Sequence, residues 1–507
     1  MYNYQLVMTL KLLTRVSLPT GNVLMVHPQY VHYSGYFAKD ETPFLPLGLL
    51  YAGEILERNG GSVIEYHDSQ LHDISERSDL HGYDSIGINV MGTQNIAPVH
   101  KLYTELSKMG VSLGKIYFGG QGVEGLDVEE FERIFPQSHI VPRDALIGRG
   151  YWNVSIRDQV EKFPEDDLKT YLNNELTLLF SQGCKYACHF CGAQTSEKET
   201  WFNTKENLRV YLDKAKRLGI NKLSAYVTSL DFFQQALKGG YSTRLKRQIR
   251  DIIEVQEEYG IDLKLRALTR ADSYMCATKD EELMNLTKRA GFYRFGFGAD
   301  GAANVRLLRA MRKGTLDLES KLFEAFDHAE RNGFTPEILY VFGIEEDTEK
   351  TLQETRDLCV DLLNKFPTSI YRGFPAKNFI PGNFNWTRVD WKNSETRQKL
   401  LDNPELFANL GFETLANPIS HPDQRIRKLV NRYAVEMSYV AHKLRRVQSF
   451  LTVPIMETDG HELMYEESFE LFRKIVGNYA PKIAKLLTLD NLPEHREQLN
   501  RSIPKDI

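Results

Sequence analysis

From Leu176 to Phe374 the chain repeats one pattern: a short apolar run, a turn, and a stretch of helical apolar spacing that stops at a glycine. Strands are expected at Leu176–Ser181, Lys222–Thr228, Asp262–Ala267, Tyr293–Gly298, Pro336–Phe342 and Ser369–Phe374. Helices are expected at Lys205–Leu218, Arg247–Tyr259, Glu281–Ala290, Leu316–Arg331 and Glu349–Leu363. The first four close at or near Gly219, Gly260, Gly291 and Gly333, and glycine past a helix end supplies a left-handed cap. Such units predict a partial (β/α)6 barrel of the TIM type, with ligands at the carboxyl ends of its strands.

Cys184, Cys188 and Cys191 stand as C-x3-C-x2-C just after the first of these strands, and the whole chain has only five cysteines. A structural zinc site wants four ligands, commonly in two separated pairs, and no second pair exists here. A [4Fe–4S] cubane usually takes four cysteines, so three leave one iron open to another ligand. The plainer reading, buried thiols, suits Cys276 and Cys359, which stand alone. Disulfides are not expected from so few cysteines in a chain with no export signal.

A length of 507 residues suggests about three units. A net charge of −5 argues against a polyanion binder as a whole. Met1–Thr20 carries Lys11 and Arg15 but no long apolar core or cleavage site, so it does not read as a signal peptide. No run reaches the roughly 18 apolar residues of a membrane span. A cytoplasmic protein without a membrane partner is expected.

Residues 21–150 alternate strand signals (Val23–Val26, Ser62–Tyr66, Ser85–Val90, Lys115–Phe118) with helical ones (Leu47–Asn59 and, nearby, Ala97–Met109). That alternation predicts a doubly wound, Rossmann-like (flavodoxin-like) α/β domain. Residues 170–376 form the barrel. Residues 377–507 open with the aromatic, turn-rich Asn378–Trp386 and continue as helical patterns near Glu395–Leu410, Gln424–Phe450 and Glu466–Leu487, which suggest a helical cap over the barrel mouth. Lys443, Arg445 and Arg446 read as a solvated helix face, so nucleic acid is not an expected partner.

The cysteine loop resembles that of the radical S-adenosylmethionine (radical SAM) enzymes, and Phe190 matches the aromatic that this family carries before its third cysteine. The resemblance runs over residues 175–375. It implies that Cys184, Cys188 and Cys191 hold a [4Fe–4S] cluster whose open iron chelates SAM. Ser229-Leu230-Asp231 falls where relatives hold the methionine amine of SAM, and Arg270-Ala271-Asp272 matches their R-x-D. Gly296–Asp300, with Gly298 and Asp300, resembles G-x-E-S, and Lys313-Gly314 fits downstream. Gly343–Thr348, with Gly343 and Asp347, resembles the G-L-P-G-E-T that meets adenine and ribose, without its Pro-Gly pair.

By position and pattern the N-terminal part resembles the cobalamin-binding domain fused ahead of many radical SAM barrels. That fingerprint is D-x-H-x-x-G, then S-x-L, then G-G. Registered on Gly48, it puts Leu45 where the cobalt-ligating histidine would stand and Pro43 where its aspartate would stand. Asn89 lies in the S-x-L segment, Gly87–Met91, and Gly119-Gly120 supply the glycine pair. His32-Tyr33-Ser34-Gly35 also spells H-x-x-G, but far ahead of the helix and with Tyr30 in place of the aspartate. The acidic exit of the family is altered to Gly148-Arg149-Gly150. Two readings stay open: cobalamin bound without a histidine lower ligand, or an empty remnant of the domain.

The resemblance implies an enzyme that cleaves SAM reductively, with an electron donor such as flavodoxin or ferredoxin and a small-molecule substrate. Cobalamin-dependent methylation or rearrangement of a small molecule or natural-product precursor is the leading expectation. The alternative is a radical SAM oxidoreductase or lyase that binds no cobalamin. A methylthiotransferase ranks lower because no cysteine precedes Cys184 to hold a second cluster, and an iron–sulfur sensor ranks lower still. No residue is singled out as catalytic.

Overall fold

The computed structural model describes residues 18–28, 45–60, 62–90, 96–124, 128–141, 154–186, 188, 191, 200–238, 242–375, 421–443, 470, 473, 474, 477, 481–486 and 488. Outside them lie Phe190, the His32–Gly35 and Gly148–Gly150 segments, Pro43, Asn378–Trp386 and the expected helix Glu395–Leu410. Among the described residues no helix is long and apolar enough to cross a membrane.

The first sheet contains β1 (Asn22–His27), β2 (Val63–Asp68), β3 (Ser85–Asn89), β4 (Ile116–Gly119) and β5 (His139–Val141), in the order β2-β1-β3-β4-β5. Every neighbouring pair is parallel. Side chains alternate across β1. Val23 and Met25 pack on Leu49 and Leu56 of α1 (Leu47–Gly60), whereas Leu24 and Val26 join Ile86, Ile88 and Phe118 in a second core. That second core also takes in Val99, Leu102 and Leu106 of α2 (Ile96–Lys108). This is the flavodoxin-like order, in which connections leave β1 in opposite directions and open a crevice at the carboxyl ends of β1 and β3. The three-residue β5 was not among the expected strands.

Residues 154–172, ending in α3 (Glu165–Leu172), fasten this sheet to the barrel. Val154, Ile156, Val160, Tyr171 and Leu172 share one core with Leu50, Tyr51 and Ile55 of α1. The buried Gln159 amide donates to Glu54 (3.0 Å) and Glu57 (2.6 Å) and accepts from the Tyr66 hydroxyl (2.7 Å). Tyr51 accepts from Asn207 across the same seam at 2.5 Å.

The second sheet is fully parallel, and its six strands lie in chain order. It begins with β6 (Glu175–Leu179), after which a short antiparallel ribbon, β7 (Ser181–Gln182) with β8 (Thr200–Trp201), leaves the sheet. It continues with β9 (Lys222–Thr228), β10 (Asp262–Thr269), β11 (Phe292–Gly298), β12 (Thr335–Phe342) and β13 (Ile370–Pro375). Helices α4 (Thr204–Arg217), α5 (Thr243–Tyr259), α6 (Ala271–Ala277), α7 (Glu281–Arg289), α8 (Leu318–Arg331) and α9 (Glu349–Lys365) fill the crossovers. This is the expected partial barrel. At Gly260 the chain takes φ 67°, the left-handed turn that ends α5 and sends it into β10.

Alternation within the strands divides their roles. Phe295 and Phe297 face the helices, meeting Tyr274 of α6 and Phe326 of α8. On the opposite face Arg266 grips Glu175 two strands away through two 2.6 Å bonds and lies 4.5 Å over the Tyr226 ring on the strand between. Beyond the sheet, α10 (Gln424–Lys443) packs on α9 and β13. Arg356 bonds Glu436 at 2.6 Å, and Val430 and Met437 enter the main core.

Candidate active site

The cysteine loop leaves β6 at its carboxyl end, and the β7–β8 ribbon pins the loop's two ends together, Ser181 opposite Trp201 and Gln182 opposite Thr200. Gln234 adds a 3.1 Å bond to the Gly183 carbonyl. Cys184, Cys188 and Cys191 are all half-buried, and the Cys191 amide donates to the Cys188 carbonyl at 3.2 Å, which folds the second and third thiols into one tight turn. Burial pushes the Cys184 thiol up to about 11. It also raises Cys188, against the pull of the Lys313 and Arg270 charges.

The thiols are desolvated, and the cations nearest Cys188 are already paired with Asp272 and Asp300, a setting in which a bound metal would stabilise the thiolate form. Among the described residues no three His, Cys, Asp or Glu side chains are placed to hold one metal ion. A cubane does not need that convergence, because each thiolate binds a different iron. The donor set therefore fits a cluster better than a lone ion.

The other expected site residues gather on the same carboxyl edge, at the ends of β9, β10, β11 and β12. The buried Ser229 hydroxyl accepts from Ser181 at 3.0 Å, tying the β9 exit to the cysteine loop. Asp231 is fully buried. Its Oδ1 accepts from Thr269 (2.9 Å) and from the Arg270 amide (3.2 Å), and its Oδ2 accepts from Ser273 (2.5 Å). Burial raises its pKa despite these three donors. So Asp231 braces the β9 and β10 exits against each other.

Arg270 forms a two-bond pair with Asp272 (2.9 and 3.0 Å) and stacks 3.8 Å above the Tyr186 ring of the cysteine loop. Burial alone would raise Asp272, but the Arg270 bonds outweigh it and hold the carboxyl below its ordinary range. Asp300 pairs with Lys313 at 2.8 Å, both buried, and accepts the Val341 amide at 2.7 Å. Lys313 also reaches the Gly298 carbonyl at 3.4 Å, so β11, β12 and the following turn are locked together. Asp347 turns its carboxylate into its own loop, where it accepts from the Gly343 amide (2.7 Å), the Ile344 amide (3.0 Å) and Thr351 (2.8 Å). Burial raises its pKa against those bonds.

Thr269, Ser273 and Tyr186, which do much of this bracing, were not among the expected site residues. Ser273 directly follows the R-x-D segment and Tyr186 sits between the first two cysteines, but neither position carries a chemical signal until the fold brings its partner.

In the N-terminal sheet a cavity of 140 Å³ opens beneath α1, and its wall includes Gly48, Asn89, Gly119 and Gly120. Met25 and Gly87 line it as well. Four of the five residues expected at a cobalamin site thus meet at the crevice of β1 and β3. Gly120 holds φ 111°, and a Cβ there would lie 2.5 Å from the Val90 carbonyl, so this turn admits glycine alone. Leu45 does not reach that wall. It packs in the core shared with the barrel, beside Leu47, Leu50 and Tyr51.

Comparison with known proteins agrees with this geometry. The Radical SAM superfamily model matches residues 178–359. Anaerobic magnesium-protoporphyrin IX monomethyl ester cyclase of Rubrivivax gelatinosus is 22% identical over 247 residues, which are 48% of this chain and 38% of that protein. The chain thus spans well under half the length of that relative. Among solved structures, the radical S-adenosylmethionine methyltransferase TsrM from Kitasatospora setae, with cobalamin and a [4Fe–4S] cluster bound, superposes with a TM-score of 0.50 at 16% identity, covering 70% of this chain and 75% of that one. The cobalamin-dependent S-adenosylmethionine radical enzyme OxsB gives a TM-score of 0.50 at 17% identity, covering 77% of this chain and 56% of that one. At these identities the two structures establish a shared fold. The family match falls on the strands that carry the three thiols and the polar carboxyl edge, so residues 178–359 carry a radical SAM domain.

Proposed function

We propose that this enzyme uses cobalamin together with its cluster, and that it methylates or rearranges a small-molecule substrate. When bound, the reduced cluster supplies the electron that cleaves SAM, and cobalamin supplies a transferable methyl group. The observation that carries the cobalamin reading is the glycine-walled cavity at the crevice of β1 and β3, where Gly48, Asn89, Gly119 and Gly120 converge. Doubly wound sheets bind ligands at that crevice.

The chain's own residues have definable tasks in this scheme. Cys184, Cys188 and Cys191 hold the cluster, and Phe190 directly precedes the third thiol. Ser229, at the edge of the β9 exit and bonded to Ser181 of the loop's base, offers a hydroxyl for the SAM ammonium, with Asp231 fixed behind it as a brace. Arg270 holds the cluster loop through Tyr186. Gly298 and Asp300 set the β11 edge. Gly343 and Asp347 shape the loop that faces adenine and ribose. Leu45 keeps an apolar side chain at the register position of a lower ligand, so no protein imidazole comes from there.

Anaerobic reconstitution, then incubation with hydroxocobalamin and desalting, tests both halves. About four irons per chain and about one retained corrin are expected, the irons by cluster stoichiometry. Iron without corrin would leave the cobalamin-free oxidoreductase or lyase, a reading favoured by the seclusion of Leu45 in the core. Full cluster absorbance and SAM cleavage in a variant with all three cysteines changed to alanine would remove the cluster assignment as well.

A further inference from the structure

We infer that His421 is a positioning residue for SAM: from outside the matched domain it holds the loop Gly343–Thr348 in its binding shape. The inference rests on the reading that this loop faces the adenosyl part of SAM.

His421 is buried and lies 74 positions beyond Asp347 in sequence, yet its Nε2 sits 3.1 Å from the Asp347 carbonyl oxygen. The Asp423 amide donates to Nδ1 at 3.0 Å. An Nδ1 that accepts carries no proton, which leaves the ring hydrogen on Nε2 to donate to Asp347. The imidazole is thus a rigid spacer between two backbone groups. Arg427 completes the corner by donating to the His421 and Pro422 carbonyls, both at 3.1 Å.

The loop it grips is held from outside by Ile344, which packs on Leu307 and Met311, and His421 adds a polar hold at its far end. The Asp347 side chain already draws the Gly343 and Ile344 amides together, and Thr348 caps α9 with its hydroxyl toward the Thr351 amide. These bonds are all internal to the loop and the first turn of α9. They fix its shape without anchoring it to anything else. His421 supplies an anchor, and the same segment is tied down by Arg425 to Glu349 and by Glu436 to Arg356. The loop of the resembling family carries Pro-Gly where this chain has Glu345-Glu346, so the stiffness that a proline gives is missing here and an added brace has a purpose.

The test compares His421→Ala, His421→Gln and Asp347→Ala as reconstituted holoenzymes, reading iron content and the SAM dissociation constant. His421→Ala is expected to keep its iron and bind SAM about five- to tenfold more weakly, the scale of one lost hydrogen bond. His421→Gln, whose amide N–H can reach the Asp347 carbonyl, should recover most of that loss. If His421→Ala binds SAM like the wild type while Asp347→Ala binds weakly, His421 has no positioning role. If both bind like the wild type, the loop is not at SAM and the underlying reading fails. Hydrogen exchange on the unmodified holoenzyme covers the case of a variant that does not fold. SAM should then protect amides in 343–348 and in 421–427 together, and protection confined to 343–348 would overturn the inference.

Discussion

Arg270 lies with its guanidinium 3.8 Å above the ring of Tyr186, and both side chains converge on the Asp272 carboxylate, the tyrosine hydroxyl from 3.3 Å. The cysteine loop is therefore held to the β10 exit by a stacked cation and a shared carboxylate. Gly314 closes the other side, where a Cβ would come within 3.1 Å of the tyrosine ring. Tyr186 stands between Cys184 and Cys188, so whatever fixes its ring also fixes the spacing of those two thiols.

Arg270→Lys keeps the charge but loses the planar stack and the paired bonds to Asp272. It is expected to lower stability by about 1–2 kcal/mol, the combined scale of a desolvated cation–π contact and one charge-assisted bond. Iron content after reconstitution should fall with it. Tyr186→Phe, which loses only a long hydroxyl bond, should hold its iron. Equal iron in Arg270→Lys and wild type would show that the stack does not shape the loop.

Lys313 and Asp300 form a buried pair at the β11 exit, both within 5% of full burial. Removing one partner strands the other charge, so Lys313→Met is expected to cost about 3–5 kcal/mol in anaerobic urea unfolding. The double variant Lys313→Met with Asp300→Asn should regain much of that loss, because no ion is then left unpaired. A single variant within about 0.5 kcal/mol of wild type would mean that the pair is hydrated, since surface changes are of that size.

The central strands and the long helices of this molecule were readable because each advertises itself locally, whereas the short α3 and α6 were not among the expected helices. The apolar run Val23–Val26 predicts β1, and Gly260 marks the end of α5 where the left-handed turn is found. The three-residue β5 gave no such signal, since His139, Ile140 and Val141 are too few to show a period. The site divides the same way. The C-x3-C-x2-C spacing of the thiols was legible in the sequence, but the bracing of Asp231 by Thr269 and Ser273 exists only once β9 and β10 are paired. His421 is the extreme case: a lone histidine in a polar stretch acquires meaning only from the carbonyl it meets 74 residues away.

Gly120 offers a test of the N-terminal cavity that leaves the cluster untouched. Its φ of 111° is left-handed, and a methyl carbon added there would meet the Val90 and Asn89 oxygens at 2.5 and 2.9 Å, so Gly120→Ala is strained on both counts. A cost of roughly 1–3 kcal/mol is expected, together with a distorted cavity wall. Corrin retention should drop sharply while iron content stays near that of wild type. Corrin retained at the wild-type level would place any cobalamin elsewhere.

His67 and Asp68, neighbours on β2, are displaced by burial in opposite directions. The His67 ring falls from its ordinary 6.5 to about 4, with the Arg77 and His72 charges adding to the effect of burial. The Asp68 carboxyl rises from 3.8 to about 6, although the Tyr171 hydroxyl donates to it. Between about pH 4 and 6.5 the unfolded chain carries a proton on His67 that the folded chain lacks, so this residue makes stability rise with pH. Between about pH 4 and 6 the folded chain keeps a proton on Asp68 that the unfolded chain has lost, so this one makes stability fall as pH rises. The slopes oppose each other, and the pair together should contribute little pH dependence. Asp68→Asn removes the falling slope and should unmask a gain of roughly 2–3 kcal/mol as pH climbs through the window, the size of a shift of about two units. His67→Gln should leave the opposite trend, a loss of similar size. Urea midpoints taken in steps across that window read both, and slopes of the same sign in the two variants would show that these residues do not titrate as their burial dictates.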